Sequence, residues 1–148
     1  MRITQEADYA IRICLSLDKA GGKIGAQNIS KLACTTPQIT LKILRKLTQA
    51  GYVRSYKGVS GGYELCRDGG SISVLEIIEV IDGALTISKC LCDDYGCTKN
   101  ECKEKCKMHI AFELVNRKII ENLGNISLHT INDDTLGAAD IAEIINKK

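Results

Sequence analysis

The sequence predicts a mainly α-helical fold with one small β-hairpin and a long helix near the carboxyl end. Apolar residues recur at helical spacing through most of the chain. The 148 residues include no Trp and one Phe, so the core must consist mostly of Ile, Leu and Val, which suits packed helices. A glycine-rich KGVSGG segment separates two short β-type runs. The length and the 45% hydrophobic content suffice for one compact domain with an appended element.

The first helix is predicted from Thr4 to Leu17. Thr4 is a good N-cap residue, and two glycines at positions 21 and 22 provide the stop signal. Cys14 lies on the apolar stripe of this helix. We therefore expect it to be a small buried side chain rather than a reactive thiol.

Two helices separated by a short turn follow, which is the arrangement of a helix-turn-helix unit. The first is the segment AQNISKLA. The second begins after Thr36, where an N-cap precedes Pro37 at the first helical position, and it ends before Gly51. The residues expected to face the core are Ile39, Ile43, Leu44 and Leu47. The polar residues expected on the opposite face are Gln38, Lys42, Arg45 and Gln49.

A β-hairpin is predicted directly after the second helix, from the runs YVRSY and GYELC. Gly58, Gly61 and Gly62 can take the positive φ values that a tight turn needs. Residues 1–70 contain eleven Lys or Arg and five acidic residues, a net charge of +6, whereas the remainder carries −4. A basic hairpin after a recognition-type helix is a wing. The ordered elements and their charge together indicate binding to double-stranded DNA.

Two further helices complete the prediction. Ser73 and Glu76 form a capping-box pattern that opens an apolar connector helix ending at Gly83. A longer helix is predicted from Lys105 to Leu123, with apolar residues at three- and four-residue intervals. We expect it to pair with its copy in a homodimer, with packing against the first helix as the alternative. The final segment, DIAEIINKK, can form at most a frayed helix.

These elements divide the chain into four parts. They are a winged helix-turn-helix DNA-binding domain with its connector helix (residues 1–83), a cysteine-rich loop (84–109), a dimerisation helix with the following segment (105–132) and a tail (133–148). No leader peptide is expected, because charged residues interrupt the apolar residues near the amino terminus, and no apolar run is long enough to cross a membrane. We therefore expect a cytoplasmic protein without a membrane partner.

The cysteine-rich loop is the clearest chemical signal in the chain. Between Lys89 and His109 it contains five of the eight cysteines, namely Cys90, Cys92, Cys97, Cys102 and Cys106. In a reducing compartment, clustered thiols predict metal ligands or redox sensors rather than disulfides. The loop lacks a Cys-x2-Cys pair, and its wider intervals favour an iron–sulfur cluster held by an irregular loop. A structural zinc site is the alternative, formed by Cys97, Cys102, Cys106 and His109.

The chain resembles a known family in several segments: MRITQEADYAIR, KGVSGGYEL, SISVLEIIEVIDG and a cysteine loop that runs into a long helix. This pattern is similar to the Rrf-type (BadM-type) winged-helix transcription regulators, which include the iron–sulfur sensors IscR and NsrR and the cluster-free regulator CymR. The resemblance covers residues 1–132. It implies a homodimer with crossed long helices that binds a DNA operator, and a cluster, [2Fe-2S] or [4Fe-4S], near the dimer interface.

The resemblance also implies a set of cluster ligands. Cys90 corresponds to the first cysteine ligand of the family and Cys106 to the third. Either Cys97 or Cys102 corresponds to the second, because this loop is longer than its counterparts. Cys92 and the unused cysteine are then extra thiols.

Two residues correspond to a fourth ligand in different branches of the family. His109 matches the histidine ligand of the IscR-like branch, and Asp8 matches the carboxylate that NsrR-like proteins donate from the partner subunit. The simpler interpretations are a solvated helix histidine for His109 and a first-turn acid favoured by the helix dipole for Asp8.

For DNA, the helix after Thr36 is expected to lie in the major groove. The residues expected nearest the base edges are Thr36, Gln38, Thr40 and Lys42. Those expected nearer phosphates are Arg45, Arg54, Ser60 and Arg2. Lys57 occupies the position where members of the family often place an Arg that enters the minor groove; Lys keeps the charge but loses the planar fork.

The leading hypothesis is a dimeric transcription regulator, a repressor, whose cluster senses iron–sulfur status, nitric oxide or redox state. A second hypothesis keeps the DNA-binding module and makes the loop a zinc site or a thiol switch. A third, a small iron–sulfur electron carrier or cluster-transfer protein, leaves the basic half unexplained. An enzyme is not expected, because the sequence has no phosphate loop and no nucleophile elbow, and His129 stands alone.

Overall fold

The computed structural model describes residues 2–99 and 103–147. Its elements follow in the order α1 (Gln5–Ala20), α2 (Ala26–Leu32), α3 (Pro37–Gln49), β1 (Val53–Tyr56), β2 (Gly62–Leu65), α4 (Val74–Asp82), α5 (Lys107–Gly124), α6 (Leu128–Asn132) and α7 (Ala138–Ile145). Short 3₁₀ turns occupy Gly69–Ser71, Lys89–Leu91 and Lys103–Lys105. The mainly helical architecture with a two-stranded hairpin confirms the predicted fold class.

Local hydrogen bonds define the ends of the helices where the sequence predicted them. The Thr4 hydroxyl accepts a hydrogen bond from the Ala7 amide, and α1 ends at Gly21, which adopts the left-handed conformation. The Thr36 hydroxyl caps α3 in the same way. At α4, Ser73 and Glu76 form a reciprocal capping box. These caps satisfy backbone donors that would otherwise lack partners.

The hydrophobic core surrounds α1, which packs against α2, α3, α4 and α6. Its fully buried side chains come from most of the winged domain and include Ile13, Leu17, Ile29, Ile43, Leu44, Leu47, Ile72 and Ile77. Each burial of this kind contributes roughly 1.5–3 kcal/mol. Cys14 lies within this core, and burial raises the pKa of its thiol to about 12, which confirms that it is structural.

The hairpin pairs β1 with β2 in antiparallel register, Val53 opposite Leu65 and Tyr56 opposite Gly62. Two backbone hydrogen bonds join Ile24, in the loop before α2, to Tyr63 of β2, at 2.9 and 3.0 Å. This bridge fixes the hairpin to the helical body. Gly62 has a φ of +156°, and a Cβ there would lie 2.7 Å from the Ile24 carbonyl oxygen, so this position requires glycine.

The long helix begins later than predicted, at Lys107, because Lys103–Lys105 forms a separate 3₁₀ turn. In its carboxyl half, Ile119, Ile120 and Leu123 pack against a small cluster that contains Ala7 of α1 and Ile78 of α4. This half therefore packs mainly on α4, with Ala7 of α1 in the same cluster. In its amino half the large apolar side chains are exposed: Met108, Ile110, Phe112, Leu114 and Val115.

The carboxyl-terminal region is more ordered than the sequence predicted. The short helix α6 begins at the N-cap Ser127 and was missed. The helix α7 replaces the predicted frayed segment, and the Asn125 side chain, at the end of α5, donates hydrogen bonds to the Ile145 and Lys147 carbonyls. Across residues 2–99 and 103–147, no helix is both long and apolar enough to span a membrane.

Candidate functional site

A buried asparagine fixes the start of the cysteine-rich loop. The Asn116 side chain of α5 donates a hydrogen bond to the Leu85 carbonyl at 3.1 Å and accepts one from the Ile87 amide at 3.0 Å. Asn116 is 9% exposed. Sequence reasoning missed it, although it lies at helical spacing from Phe112 on the apolar stripe, where a polar side chain is unexpected. The loop therefore leaves the domain from a defined position.

Asp82, the last residue of α4, connects the base of the loop to α1. The Thr4 hydroxyl donates to Asp82 Oδ1 at 2.5 Å, and the Thr4 amide donates to Oδ2 at 3.2 Å. Thr4 is also the N-cap of α1. The first turn of α1 and the base of the loop are thus held together by one carboxylate.

Three cysteines and one histidine line a single small pocket. Cys90, Cys97, Cys106 and His109 surround a cavity of about 30 Å³, together with Tyr95, Lys99, Lys103 and Met108. Cys106 is buried and is the N-cap of α5, where the positive end of the helix dipole favours an anionic ligand. The Nδ1 atom of His109 is buried without a hydrogen-bond partner among the described residues. Buried polar atoms normally have partners, so this nitrogen is a candidate ligand atom.

The donor atoms in this pocket have the chemistry of an iron–sulfur or zinc site. Thiolates and imidazole are ligands for both. Within the described parts of the chain, no three or more His, Cys, Asp or Glu side chains are close enough together to hold a metal ion. The donors share a pocket but have not converged on one point. The cavity of about 30 Å³ is near the size of one small ion, so a cluster would require the loop to widen.

Three predicted ligands are not part of this pocket. Cys92 is exposed, and its sulfur lies 3.7 Å from the Thr86 hydroxyl. Asp8 pairs with Arg12 at 2.7 Å in the first turns of α1 and lies on a different surface. Cys102 lies outside the described residues.

A groove between α3 and the hairpin forms the candidate DNA-binding face. It has a volume of about 290 Å³ and is lined by Leu41, Arg45, Thr48, Gln49, Ser55 and Tyr63. Of the predicted contact residues, Arg45 lines this groove. The others that are exposed are Arg2, Thr36, Gln38, Lys42, Arg54, Lys57 and Ser60. The arrangement presents a polar helix and a basic hairpin side by side.

One predicted DNA contact is wrong. Thr40 is fully buried, and its hydroxyl donates a hydrogen bond to the Thr36 carbonyl at 3.0 Å while lying 2.6 Å from the Thr35 hydroxyl. It cannot reach a base edge from this position. Its spacing from Ile43 and Leu44 places it on the core face of α3, and the two threonine contacts satisfy its hydroxyl there.

His129, isolated in the sequence, lies between two carboxylates. Its Nε2 atom is 3.1 Å from Asp18 Oδ1 and 3.6 Å from Asp68 Oδ1. The Asn132 side chain donates to Asp18 Oδ2 at 2.7 Å. These contacts attach α6 to α1 and to the segment after β2. His129 is thus isolated in the sequence but contacts two carboxylates in the fold, where it links α6 to the rest of the domain.

Comparison with known proteins gives a consistent result. The model of the Rrf2 family, described as iron-dependent transcriptional regulators, matches residues 3–134. The chain is 29% identical over 144 residues to the HTH-type transcriptional regulator IscR of Xenorhabdus nematophila, over 95% of this chain and 85% of that protein. These relatives are transcription regulators and not enzymes.

Solved structures show the same fold. The chain superposes on T. potens IscR with a TM-score of 0.67 at 24% identity, covering 92% of this chain and 89% of that one. It superposes on CymR, the global cysteine regulator of B. subtilis, with a TM-score of 0.72 at 21% identity, covering 92% and 99%. The winged-helix architecture predicted from the sequence is confirmed.

Proposed function

Because the chain belongs to the Rrf2 family of DNA-binding transcriptional regulators, we propose that it is a homodimeric repressor whose cysteine-rich loop binds an iron–sulfur cluster. The observation that carries the proposal is the pocket lined by Cys90, Cys97, Cys106 and His109. A cluster bound there would supply a group that is assembled, oxidised or nitrosylated according to iron–sulfur status, redox state or nitric oxide. Binding of the cluster and transmission of its state to the DNA-binding domain would depend on the protein's own residues.

We propose Cys90, Cys97, Cys106 and His109 as the ligand set. We propose Cys97 as the middle ligand because it lines the pocket with the other two cysteines. Cys102, which lies outside the described residues, is the competing middle ligand. His109 is favoured as the fourth ligand because its buried Nδ1 has no hydrogen-bond partner among the described residues, and leaving such an atom unpaired costs about 1–3 kcal/mol. Asp8 of the partner subunit is the competing fourth ligand.

Two contacts fix the start of the loop, one to α5 and the other within the DNA-binding domain. Asn116 holds residues 85–87 against α5, and Asp82 holds the first turn of α1 through Thr4. The helix α1 in turn packs against α3. Ordering or release of the loop would therefore act on the helix that supports the recognition helix. Such a change alters DNA affinity only to the extent that the two states contact DNA differently.

The exposed apolar residues of α5 support the homodimer. Phe112 is 37% exposed, Leu114 is 52% exposed and Met108 is 53% exposed, on a helix whose opposite end is packed. Met108 and Phe112 lie one helical turn apart on the same side of α5, and exposed apolar side chains in such a row usually mark an interaction site. We propose a second copy of the chain as its partner, because one recognition helix and one wing per chain read only half of a two-fold symmetric operator.

The ligand set is tested by anaerobic purification with iron and sulfide counts and with absorption and EPR spectra. We expect a coloured protein with bound iron and sulfide, whose cluster is lost in Cys97→Ala and retained in the matched control Cys92→Ala. His109→Ala should lose or destabilise the cluster, whereas Asp8→Ala should retain it. Wild-type protein without iron or sulfide after anaerobic reconstitution would rule out the cluster.

A zinc site is the second candidate, and the small volume of the pocket favours it. The donor set of three cysteines and one histidine matches a structural zinc centre. This alternative predicts about one zinc per chain, no sulfide and no visible absorption after purification. The same metal analysis therefore distinguishes both candidates.

A further inference from the structure

A glutamate at the start of α1 contacts two lysines of the recognition helix. Glu6 Oε1 lies 2.7 Å from Lys46 Nζ, and Oε2 lies 3.1 Å from Lys42 Nζ. The Glu6 side chain is 29% exposed, whereas that of Lys42 is 63% exposed. A single carboxylate thus bridges two cations on the flank of α3 that faces α1. Because of this position we assign Lys42 to phosphates rather than to the base edges expected from the sequence.

Glu6 is charged at neutral pH and its position is fixed. The neighbouring Lys46 ammonium lowers the pKa of the Glu6 carboxyl, although burial opposes this, and Lys42 lowers it further. The glutamate lies in the first turn of a helix that begins at a satisfied N-cap. Its carboxylate is therefore a constant part of the electrostatic surface beside the recognition helix.

The Glu6 carboxylate contacts these lysines with anionic oxygens, as a DNA phosphate would. Lysine binds the anionic oxygens of phosphates as a point charge, and DNA affinity depends on how many such contacts replace counterions. Lys42 and Lys46 flank Arg45, which lines the groove between α3 and the hairpin. With Glu6 between them, the two lysines and the glutamate together contribute a net charge of only +1 at this flank.

We propose that the Glu6 carboxylate competes with DNA phosphates for Lys42 and Lys46. It thereby weakens the contacts of these two lysines with the DNA backbone. It reduces the sequence-independent part of DNA binding and leaves a larger share of the affinity to base contacts and shape. Glu6 in this role determines specificity without touching a base. The inference rests on the proposed DNA-binding face of α3.

The test compares full-length Glu6→Gln with wild type on a random-sequence duplex of about 20 base pairs, by fluorescence anisotropy between 50 and 200 mM KCl. At about 100 mM salt we expect Glu6→Gln to bind roughly three- to tenfold more tightly. The slope of the logarithm of the binding constant against the logarithm of the salt concentration should become more negative by about 0.9, the change that corresponds to one additional phosphate contact. Circular dichroism melting verifies that the variant is folded.

Two controls isolate the local effect. Asp134→Asn makes the same change in net charge on the exposed segment between α6 and α7, and it should alter affinity by less than about twofold. Adding Lys42→Gln and Lys46→Gln to Glu6→Gln should abolish the gain.

The outcomes separate this inference from the proposed DNA-binding face. If wild type binds DNA with the expected salt dependence and Glu6→Gln has unchanged or weaker affinity, only the competition is refuted. Weaker binding by a folded Glu6→Gln would mean that the glutamate positions the lysines instead. If wild type and variant both lack salt-dependent binding, the proposed DNA-binding face is refuted, and the inference with it.

Discussion

The winged domain and the cysteine-rich region differ in how many of their polar groups have partners and how many of their apolar side chains are buried within one chain. In the winged domain, α1, α3 and α4 have capped amino-terminal ends, and the core side chains are fully buried. In the described part of the cysteine-rich region, Cys92 and Cys97 are exposed, and Nδ1 of His109 is buried without a hydrogen-bond partner. The adjacent half of α5 exposes its apolar side chains. The first region is thus complete within one chain, whereas the second has the donor atoms and exposed apolar side chains that the proposed cluster and the proposed homodimer would cover.

The largest expected effect is a loss of stability when a core residue of the winged domain is replaced. Ile77 is fully buried at the centre of the core, so Ile77→Ala should lower the free energy of unfolding by about 2–5 kcal/mol. Tyr95→Ala, in the cysteine loop where the side chain is 39% exposed, should change it by less than about 0.5 kcal/mol. Urea unfolding of metal-free protein measures both. Equal costs would show that the loop belongs to the same folding unit as the core.

The second effect concerns the need for a second chain. Phe112→Glu places a charge on the exposed apolar face of α5, and it should weaken dimerisation by about 2 kcal/mol or more, at least thirtyfold in Kd. Lys31→Glu, on the exposed surface of α2, which packs on α1 and α3, is the control and should leave the dimer intact. Sedimentation at several concentrations measures the equilibrium. A wild-type monomer at micromolar concentration would contradict the proposed homodimer.

A third change tests the boundary between the two regions. Asn116→Ala removes the side chain that pairs with the Leu85 carbonyl and the Ile87 amide, and it should cost about 1–3 kcal/mol because both groups lose a partner. The amide of Ile87 should then exchange hydrogen faster, while the amides of α1 retain their protection. Unchanged exchange at Ile87 would show that the loop is held by other contacts.

The sequence was sufficient for the elements whose signals are local. The N-caps Thr4, Thr36 and Ser73 lie where expected, because each depends on a few adjacent residues. The burial of Cys14 followed from its place on an apolar stripe. The hairpin followed from its glycines and its alternating residues.

The features that the sequence did not predict depend on contacts between distant segments. His129 is far from Asp18 in the chain, and Glu6 is far from Lys46, so no periodicity relates them. Thr40 was misassigned because a threonine can be polar at a surface or satisfied within a core, and only the neighbouring Thr35 decides. The choice between Cys97 and Cys102 has a similar cause, since an irregular loop has no period that orients its side chains.

The smallest expected effect concerns a carboxylate that joins the hairpin to α4. Burial alone would raise the pKa of Glu76, but the Ser73 amide and the Arg67 guanidinium donate hydrogen bonds to it and lower the pKa to about 2. The unfolded value is about 4.3, so this stabilisation is complete above pH 5 and is lost as the pH falls towards 2. Because the side chain is 33% exposed, solvent screening reduces the contribution to about 1 kcal/mol. Glu76→Gln should therefore lower stability at pH 7 by about that amount and flatten the stability curve between pH 5 and 2, as measured by urea unfolding. A steep curve retained in the variant would assign the acid sensitivity to other carboxylates.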